Sequence, residues 1–378
     1  MNPKVSFIVP CYMLAHLLSE CVHSILAQSY QDYEILIMDD CSPDNSPEVA
    51  RSLAERDTRV SHIRNEPNLG HLANYNKAIN LARGEYIWLI SADDYLRKSY
   101  VLQRFVDLMD AHPNIGYVFC PTMRIENGKE TGLMLFTAPE AHDTIFKGHD
   151  FLQRFLLEAD CVPAPAAMAR KKCYTELSLF PLDLPYSGDW YLWSLFALYS
   201  DVGYFAEPMV YRRFHADNIS KFFYKEAAAV FFANNLAVPT RIRERAEREG
   251  CIDIVKSCRL AFVIEYLRQM KPPRPGDPIQ TQLTLEEFEQ SLRGRAGGPR
   301  EEAEVRAHVF SGMGDHYYEV HDFARSLLYY RLALNQDQLL LRVRLKYLFG
   351  RMGSTGMVFR ESLSALRRLI RRIPWSRT

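Results

Sequence analysis

Two pairs of adjacent carboxylates stand where apolar, strand-like runs end. Tyr33-Glu-Ile-Leu-Ile-Met38 runs into Asp39-Asp40, and Tyr86-Ile-Trp-Leu-Ile90 runs into Ser91-Ala92-Asp93-Asp94. A single acid after a strand is often only a helix cap. Two adjacent pairs at equivalent strand ends point to a site instead. Their chemistry is cation-assisted handling of phosphate, because Mg²⁺ characteristically takes one or two carboxylates and fills its remaining positions with phosphate oxygens. Neither GxGxxG nor GxxxxGK[ST] occurs, so a phosphate cradle built from a glycine-rich loop is not encoded.

The elements that must position these acids alternate along the first 120 residues. Val5-Ser-Phe-Ile-Val9, stopped by Pro10, has the continuous apolar character of a strand buried on both faces. Leu17 to Gln28 carries helical spacing, and Ser46-Pro47 supplies an N-cap and an N1 proline for a helix running toward Asp57. A third strand is expected over Val60–Ile63, a helix over Leu72–Ala82, a fourth strand over Tyr86–Ile90, then a further helix and a strand over Ile115–Phe119. This βαβα order predicts an α/β fold with a mainly parallel sheet and ligands at the carboxyl ends of its strands.

From about Tyr224 the strand signals disappear. Helices are expected over Ala227–Glu249 and Ile252–Met270, with Pro/Gly-rich breaks at 271–278 and 294–298. Thr284-Leu-Glu-Glu287 is a capping-box pattern. Gly314 to Asn335 resembles one tetratricopeptide helix-turn-helix; since a single such repeat cannot stand alone, it is read as a local helical hairpin. The predicted organisation is thus an α/β domain over 1–223 and an all-helical domain over 224–378, with a break near 271–300 and a basic tail over 342–378.

Across 378 residues, 46 Lys and Arg balance 46 Asp and Glu. That sum conceals segregation. The last 38 residues hold ten basic side chains and one acid, leaving 36 basic and 45 acidic in the first 340, a net of −9. Nucleic acid is not an expected partner, because no recognition motif accompanies the basic end. No apolar run reaches the ~18 residues of a membrane span, and no leader pattern is seen at the N-terminus. Eight scattered cysteines without a CxxC pair read as reduced thiols in a cytoplasmic protein.

Taken together, Val5-Ser-Phe-Ile-Val-Pro-Cys-Tyr12, Glu34-Ile-Leu-Ile-Met-Asp-Asp-Cys-Ser-Pro-Asp44, Asn68-Leu-Gly70, Ala82-Arg-Gly-Glu-Tyr-Ile87, Ser91-Ala-Asp-Asp94, Ser187-Gly-Asp-Trp190 and Tyr211-Arg-Arg-Phe-His-Ala-Asp-Asn-Ile-Ser220 resemble the family 2 inverting glycosyltransferases of the GT-A fold, over about residues 3–222. The resemblance implies a Rossmann-like GT-A domain that moves a sugar from a nucleotide-diphosphate donor, UDP-linked first, to a saccharide or lipid-linked saccharide. It implies a divalent metal, Mn²⁺ or Mg²⁺. Pro10, Cys11 and Tyr12 match the loop at the nucleobase, with Tyr12 as stacking ring, and Asp40 beside Asp39 matches the acid that reads the base. Asp93 and Asp94 match the ribose and metal positions, with Asp94 the first choice for the metal and His215 as a further ligand. Asp189 matches the catalytic base. Ser91 stands where an additional Asp is frequent, and Met13 where Asn is common.

Residue chemistry fills in the rest. Displacement at an anomeric carbon needs a carboxylate for the acceptor's proton and positive charge for the departing diphosphate. Asp189 opens an apolar helix, where the helix dipole favours the ionised form by about 0.3–1 kcal/mol. Tyr186 and Trp190 offer a platform for an acceptor sugar, Trp193 is expected in the core, and His71 and Lys77 are basic groups within range of a diphosphate. Leu363, Leu366, Leu369, Ile370 and Ile373, with arginines beside them and Trp375 at the end, suit either peripheral contact with an anionic membrane or a packed terminal helix. The competing functions are a retaining transferase on the same fold and a binding or scaffold protein whose transferase site is idle. A nucleotidyltransferase would need a glycine-rich loop that the sequence lacks.

Overall fold

Seven consecutive buried residues in each of the first two strands show why the chain begins as it does. Along the chain run β1 (Val5–Cys11), α1 (Ala15–Leu26), β2 (Tyr33–Asp39), α2 (Ser46–Arg56), β3 (Val60–Arg64), α3 (His71–Leu81), β4 (Tyr86–Leu89), β5 (Tyr95–Leu96), α4 (Val101–Ala111), β6 (Ile115–Phe119), β7 (Thr122–Glu126), β8 (Lys129–Leu133), β9 (Thr144–Phe146), α5 (Gly148–Glu158), β10 (Ala167–Arg170), α6 (Gly188–Tyr199), β11 (Asp201–Tyr204), β12 (Val210–Phe214), α7 (Ala228–Arg248), α8 (Ile252–Met270), α9 (Leu285–Leu292), α10 (Pro299–Glu319), α11 (Phe323–Gln336) and α12 (Leu341–Arg351). This computed structural model describes residues 2–134, 138–158, 162–215, 228–272, 282–336 and 341–351. The chain divides into two units, Met1–Ser257 and Cys258–Thr378.

In the first unit an eight-stranded sheet has the order β3-β2-β1-β4-β10-β6-β11-β9, and a four-stranded sheet the order β5-β12-β7-β8. In the large sheet β10 and β9 run against the others. The remaining six strands are parallel, so their carboxyl ends share one edge. Phe7 stacks on Trp88 at 5.4 Å, Trp88 packs on Phe105 at 4.4 Å, and the indole N–H donates to Pro165 O at 2.9 Å, so this large ring is buried without an orphaned donor. Burying each such ring stabilises the sheet by roughly 1.5–3 kcal/mol. Gly84 is required where it stands: a Cβ there would lie 2.5 Å from Ser6 N. Its own N–H donates to Ser6 Oγ at 2.8 Å, and that hydroxyl in turn donates to buried Glu34 at 2.7 Å.

Expectation and structure differ at α2. Ser46 is the first helical residue rather than the cap, and it is the carboxylate of Asp44 that accepts from Ser46 N, at 3.1 Å. The strands from β7 to β12 are additions to the pattern read from sequence. They are three to five residues long, too short to carry a clear period.

In the second unit Thr284 and Glu287 form the expected capping box. The hairpin of α10 and α11 is present, and it depends on Gly314, where a Cβ would lie 2.4 Å from the Tyr330 ring. Ser326 Oγ donates to Gly314 O at 2.9 Å and Tyr330 to Asp315 at 2.7 Å, which fixes that close approach. No helix among the described residues is long and apolar enough to cross a membrane. The arginine-rich stretch from 352 onward, including the segment read for membrane contact, lies outside the described residues, as do 216–220 of the last motif.

Candidate active site

The carboxyl edge of β1, β2 and β4 gathers the first group of predicted residues. Pro10 and Cys11 end β1. Pro10 O accepts from Ala92 N at 3.2 Å and Cys11 O from Asp40 N at 2.9 Å, which ties the three strand ends together. Burial pushes the Cys11 thiol up to about 11. Tyr12 is about half exposed, with its ring open to a ligand. Met13 takes a left-handed backbone with φ 57° and donates its amide to Ser42 Oγ at 3.1 Å. Asn adopts that conformation more readily than Met does.

Asp39 and Asp40 are both buried but have separate tasks. Asp39 accepts from Ser42 N at 2.9 Å and pairs with Arg64. Asp40 Oδ1 accepts from Asn65 Nδ2 and Leu69 N, and Oδ2 from Gly70 N, each at 2.9 Å. Its carbonyl takes Asn68 Nδ2 at 2.8 Å. Asp40 therefore holds the 65–70 loop that leads into α3. Below it, Asn65 also donates to Asn74 Oδ1 at 2.8 Å, Asn74 donates to Met38 O at 3.1 Å, and Lys77 Nζ donates to Asn65 Oδ1 at 2.6 Å. Lys77 is thereby engaged in this network.

Asp93 and Asp94 are separated by what β12 offers each of them. His215 Nε2 donates to Asp93 Oδ2 at 3.1 Å. Burial raises the Asp93 carboxyl, but the bonds from His215 and Ser91 outweigh it and the net direction is downward. Asp94 Oδ1 accepts from Arg213 N at 2.9 Å, and Arg213 Nε donates to Asp93 O at 3.0 Å. Burial, then the charge of Asp93, pushes Asp94 well above the ordinary carboxylate range. Two acids in that condition are what a divalent cation relieves.

Asp189 is the second residue of α6, and its Oδ1 accepts from Trp190 N at 2.8 Å. Burial raises its carboxyl; the Trp190 amide, Arg212 and His71 act against that without reversing it. The helix dipole expected to hold Asp189 ionised is thus outweighed by desolvation. His71, first in α3, donates Nε2 to Pro185 O at 2.9 Å and links the starts of α3 and α6. One turn on, Tyr75 packs edge-on to His71 at 5.7 Å and to Phe180 at 5.4 Å. Burial raises its phenol, and the fields of Asp93, Asp189, Asp94 and Asp40 raise it further. Tyr75 thus stands among four acids from three separate strand and helix ends.

Tyr186 donates its amide to Asn234 Oδ1 at 3.1 Å, and Ser187 Oγ donates to Asn235 Oδ1 at 2.8 Å, which pins the approach to α6 against α7. Trp190 turns its indole edge-on to Phe155 at 6.5 Å, and Trp193 is in the core as expected. Sequence reasoning missed Asn65, Asn74, Tyr75 and Arg212. One of these left a signal: Asn74, with Asn76 two residues on, places amides on a helix beside a strand end, and Asn76 clasps the backbone of Phe180 through both amide atoms, at 2.8 and 2.9 Å. A cavity of about 780 Å³ lies at the opposite edge, where β6 and β11 begin, lined by Ile115, Lys147, His149, Tyr199 and Asp201. It takes none of the site residues above.

Residues 6–175 match Glycosyl transferase family 2. Glycosyltransferase GlyG of Streptococcus pneumoniae serotype 4 is 36% identical over 118 residues, which are 31% of this chain and 39% of that protein. The Bacillus subtilis protein named "Uncharacterized glycosyltransferase EpsJ" is 39% identical over 107 residues, 28% of this chain and 30% of that one. The matched segments therefore span well under half the length of these relatives. The crystal structure of S. aureus TarS 1-349 in complex with UDP-GlcNAc aligns with a TM-score of 0.57 at 16% identity, over 95% of this chain and 92% of that one. At that identity the likeness establishes a shared fold: a GT-A α/β domain followed by helices.

Proposed function

We propose that this chain, whose residues 6–175 carry a glycosyl transferase family 2 domain on a GT-A fold, moves a sugar from a nucleotide-diphosphate donor to a saccharide or lipid-linked saccharide with inversion. The observation that carries the reading is the convergence of Asp40, Asp93, Asp94 and Asp189 around Tyr75. Such a cluster suits a polyphosphate with its cation on one side and a proton acceptor on the other. A UDP-linked donor is the first choice, since the TarS neighbour was crystallised with UDP-GlcNAc.

Tyr12, exposed at the end of β1, stacks on the base. Asp40 acts by holding the Asn68-Leu69-Gly70 turn beside the nucleotide. Asp93 and His215 suit Mn²⁺ or Mg²⁺, a carboxylate and an imidazole side by side, with Asp94 adding charge behind them. Among the described residues no third His, Cys, Asp or Glu completes a ligand set, so further positions fall to phosphate and water. When bound, the cation supplies charge neutralisation for the diphosphate. Asp189 takes the proton of the acceptor hydroxyl as that oxygen bonds to the anomeric carbon. Its raised carboxyl is the better matched to that task, because a base works best with a pKa near the working pH. A lipid-linked acceptor would bring the protein to a membrane surface, for which the arginine-rich 342–378 segment is suited.

The test is sugar-nucleotide turnover by wild type and Asp189→Asn, with the anomeric configuration of the product read by NMR. Turnover by wild type with inverted product, and loss of it in the variant, is expected. Unchanged transfer by Asp189→Asn removes the base, and a retained configuration removes the direct displacement.

A further inference from the structure

Successive residues of β12 point to opposite sides, and its two arginines have opposite fates. Arg213 is fully engaged: its amide holds Asp94, its Nε holds the carbonyl of Asp93, and its guanidinium pairs with Glu20 and lies over Tyr95 at 5.2 Å. Arg212 faces the other way. It lies over the Phe214 ring at 5.5 Å, and among the described residues no carboxylate is in ion-pair range of it. Its cross-strand neighbour Arg124 covers the same ring at 4.2 Å but is neutralised by Glu126. Arg212 is half-buried, and its charge reaches both Asp189 and Asp94. A partly desolvated guanidinium that, among the described residues, has no carboxylate in ion-pair range gains from an anion that a ligand supplies.

We infer that Arg212 is a phosphate-binding residue of this site, its guanidinium taking oxygens of the donor's diphosphate on the line between the Asp189 base and the Asp93–His215 pair. The role rests on the glycosyl-transfer reading. In that reaction the acceptor's O–H proton passes to Asp189, the acceptor oxygen bonds to the anomeric carbon, and the bond from that carbon to the β-phosphate oxygen breaks. The electron pair leaves on that phosphate oxygen. A planar guanidinium fork can accept the new charge with two parallel N–H donors, which an ammonium cannot. The cation–π contact with Phe214, at 5.5 Å, holds the guanidinium beside that ring.

The experiment is calorimetric titration of the full chain in Mg²⁺ with UDP, GDP and dTDP, and with the corresponding monophosphate of whichever binds. A charge-assisted bond contributes about 1.5–3 kcal/mol, which is about 10–100-fold in affinity. Arg212→Met is expected to weaken diphosphate binding by that factor, to leave monophosphate binding within about twofold, and to lower kcat. Arg212→Lys, which keeps the charge and loses the fork, is expected between the two and guards against misfolding of the first variant. Arg124→Met is expected to bind as wild type. Diphosphate binding by Arg212→Met or Arg212→Lys equal to that of wild type overturns the role of Arg212 and leaves the transfer reading standing. Wild-type protein that binds none of the three diphosphates overturns the transfer reading itself, and the Arg212 role with it.

Discussion

His215 Nε2 stands 3.1 Å from Asp93 Oδ2, though 122 positions of chain separate them. The pairing exists because β12 lies beside β5, with Val210 opposite Leu96 and Tyr211 opposite Tyr95, so the chain just beyond β12 returns to the acids that precede β5. Neither acid of the Asp93-Asp94 pair is equivalent to the other once that strand is in place.

If this pair holds the cation, His215→Ala should bind Mn²⁺ about 10–100-fold more weakly, as expected when a metal-holding contact is lost. Titration of the protein with Mn²⁺, followed by calorimetry, reads this directly. Chelation with EDTA should abolish turnover in wild type, and excess Mn²⁺ should restore it.

Asp93 and Asp94 should have opposite effects on the stability of the metal-free protein. Asp93 is held below its ordinary value, so its contribution is full above the unfolded pKa near 3.8 and is lost as pH falls through the lower folded value. Asp94 is raised, so its penalty is full at neutral pH and fades as pH falls through the folded value toward the unfolded one. Asp94→Asn keeps an oxygen for Arg213 N and should raise the Tm at pH 7 by about 2–4 °C per kcal/mol relieved. Asp93→Asn should lower it. A fall in Tm for Asp94→Asn would show that its charge is already compensated.

For Asp189 the pH profile is the sensitive measurement. A base must be ionised, so kcat/KM should fall as pH drops through the Asp189 pKa. Because burial raises that carboxyl, the acid limb should lie above the ordinary Asp value of 3.8. Asp189→Asn should remove the limb and lower kcat by about 10²–10⁴-fold, with donor affinity unchanged. An acid limb near 4 would assign the proton transfer elsewhere.

Asp40 is predicted to act through the loop it holds. Asp40→Ala removes an acceptor from Asn65, Leu69 N and Gly70 N, but Asn65 keeps Asn74 Oδ1 and Gly70 N keeps Asn68 Oδ1, so it should destabilise the first unit by about 1–3 kcal/mol, the penalty of one orphaned donor. Urea unfolding checks the loss. A change under about 0.5 kcal/mol would mean that the 65–70 loop re-forms its bonds with water.

The strand ends, the acid pairs and the start of α6 were legible in the amino-acid order because they are local. A strand buried on both faces is a continuous apolar run, and an acid that ends it interrupts the run visibly, as Asp39 and Asp93 do. Tertiary structure alone decided the rest. Lys77 is tied to Asn65, and Trp190 lies edge-on to Phe155, contacts that join positions distant in sequence. The division between Asp93 and Asp94, and between Arg212 and Arg213, was set by the register of β12. That strand is five residues long with mixed burial and has no periodicity of its own to announce it. Its place is fixed by partners far away in sequence, and a one-residue slip would exchange the two arginines.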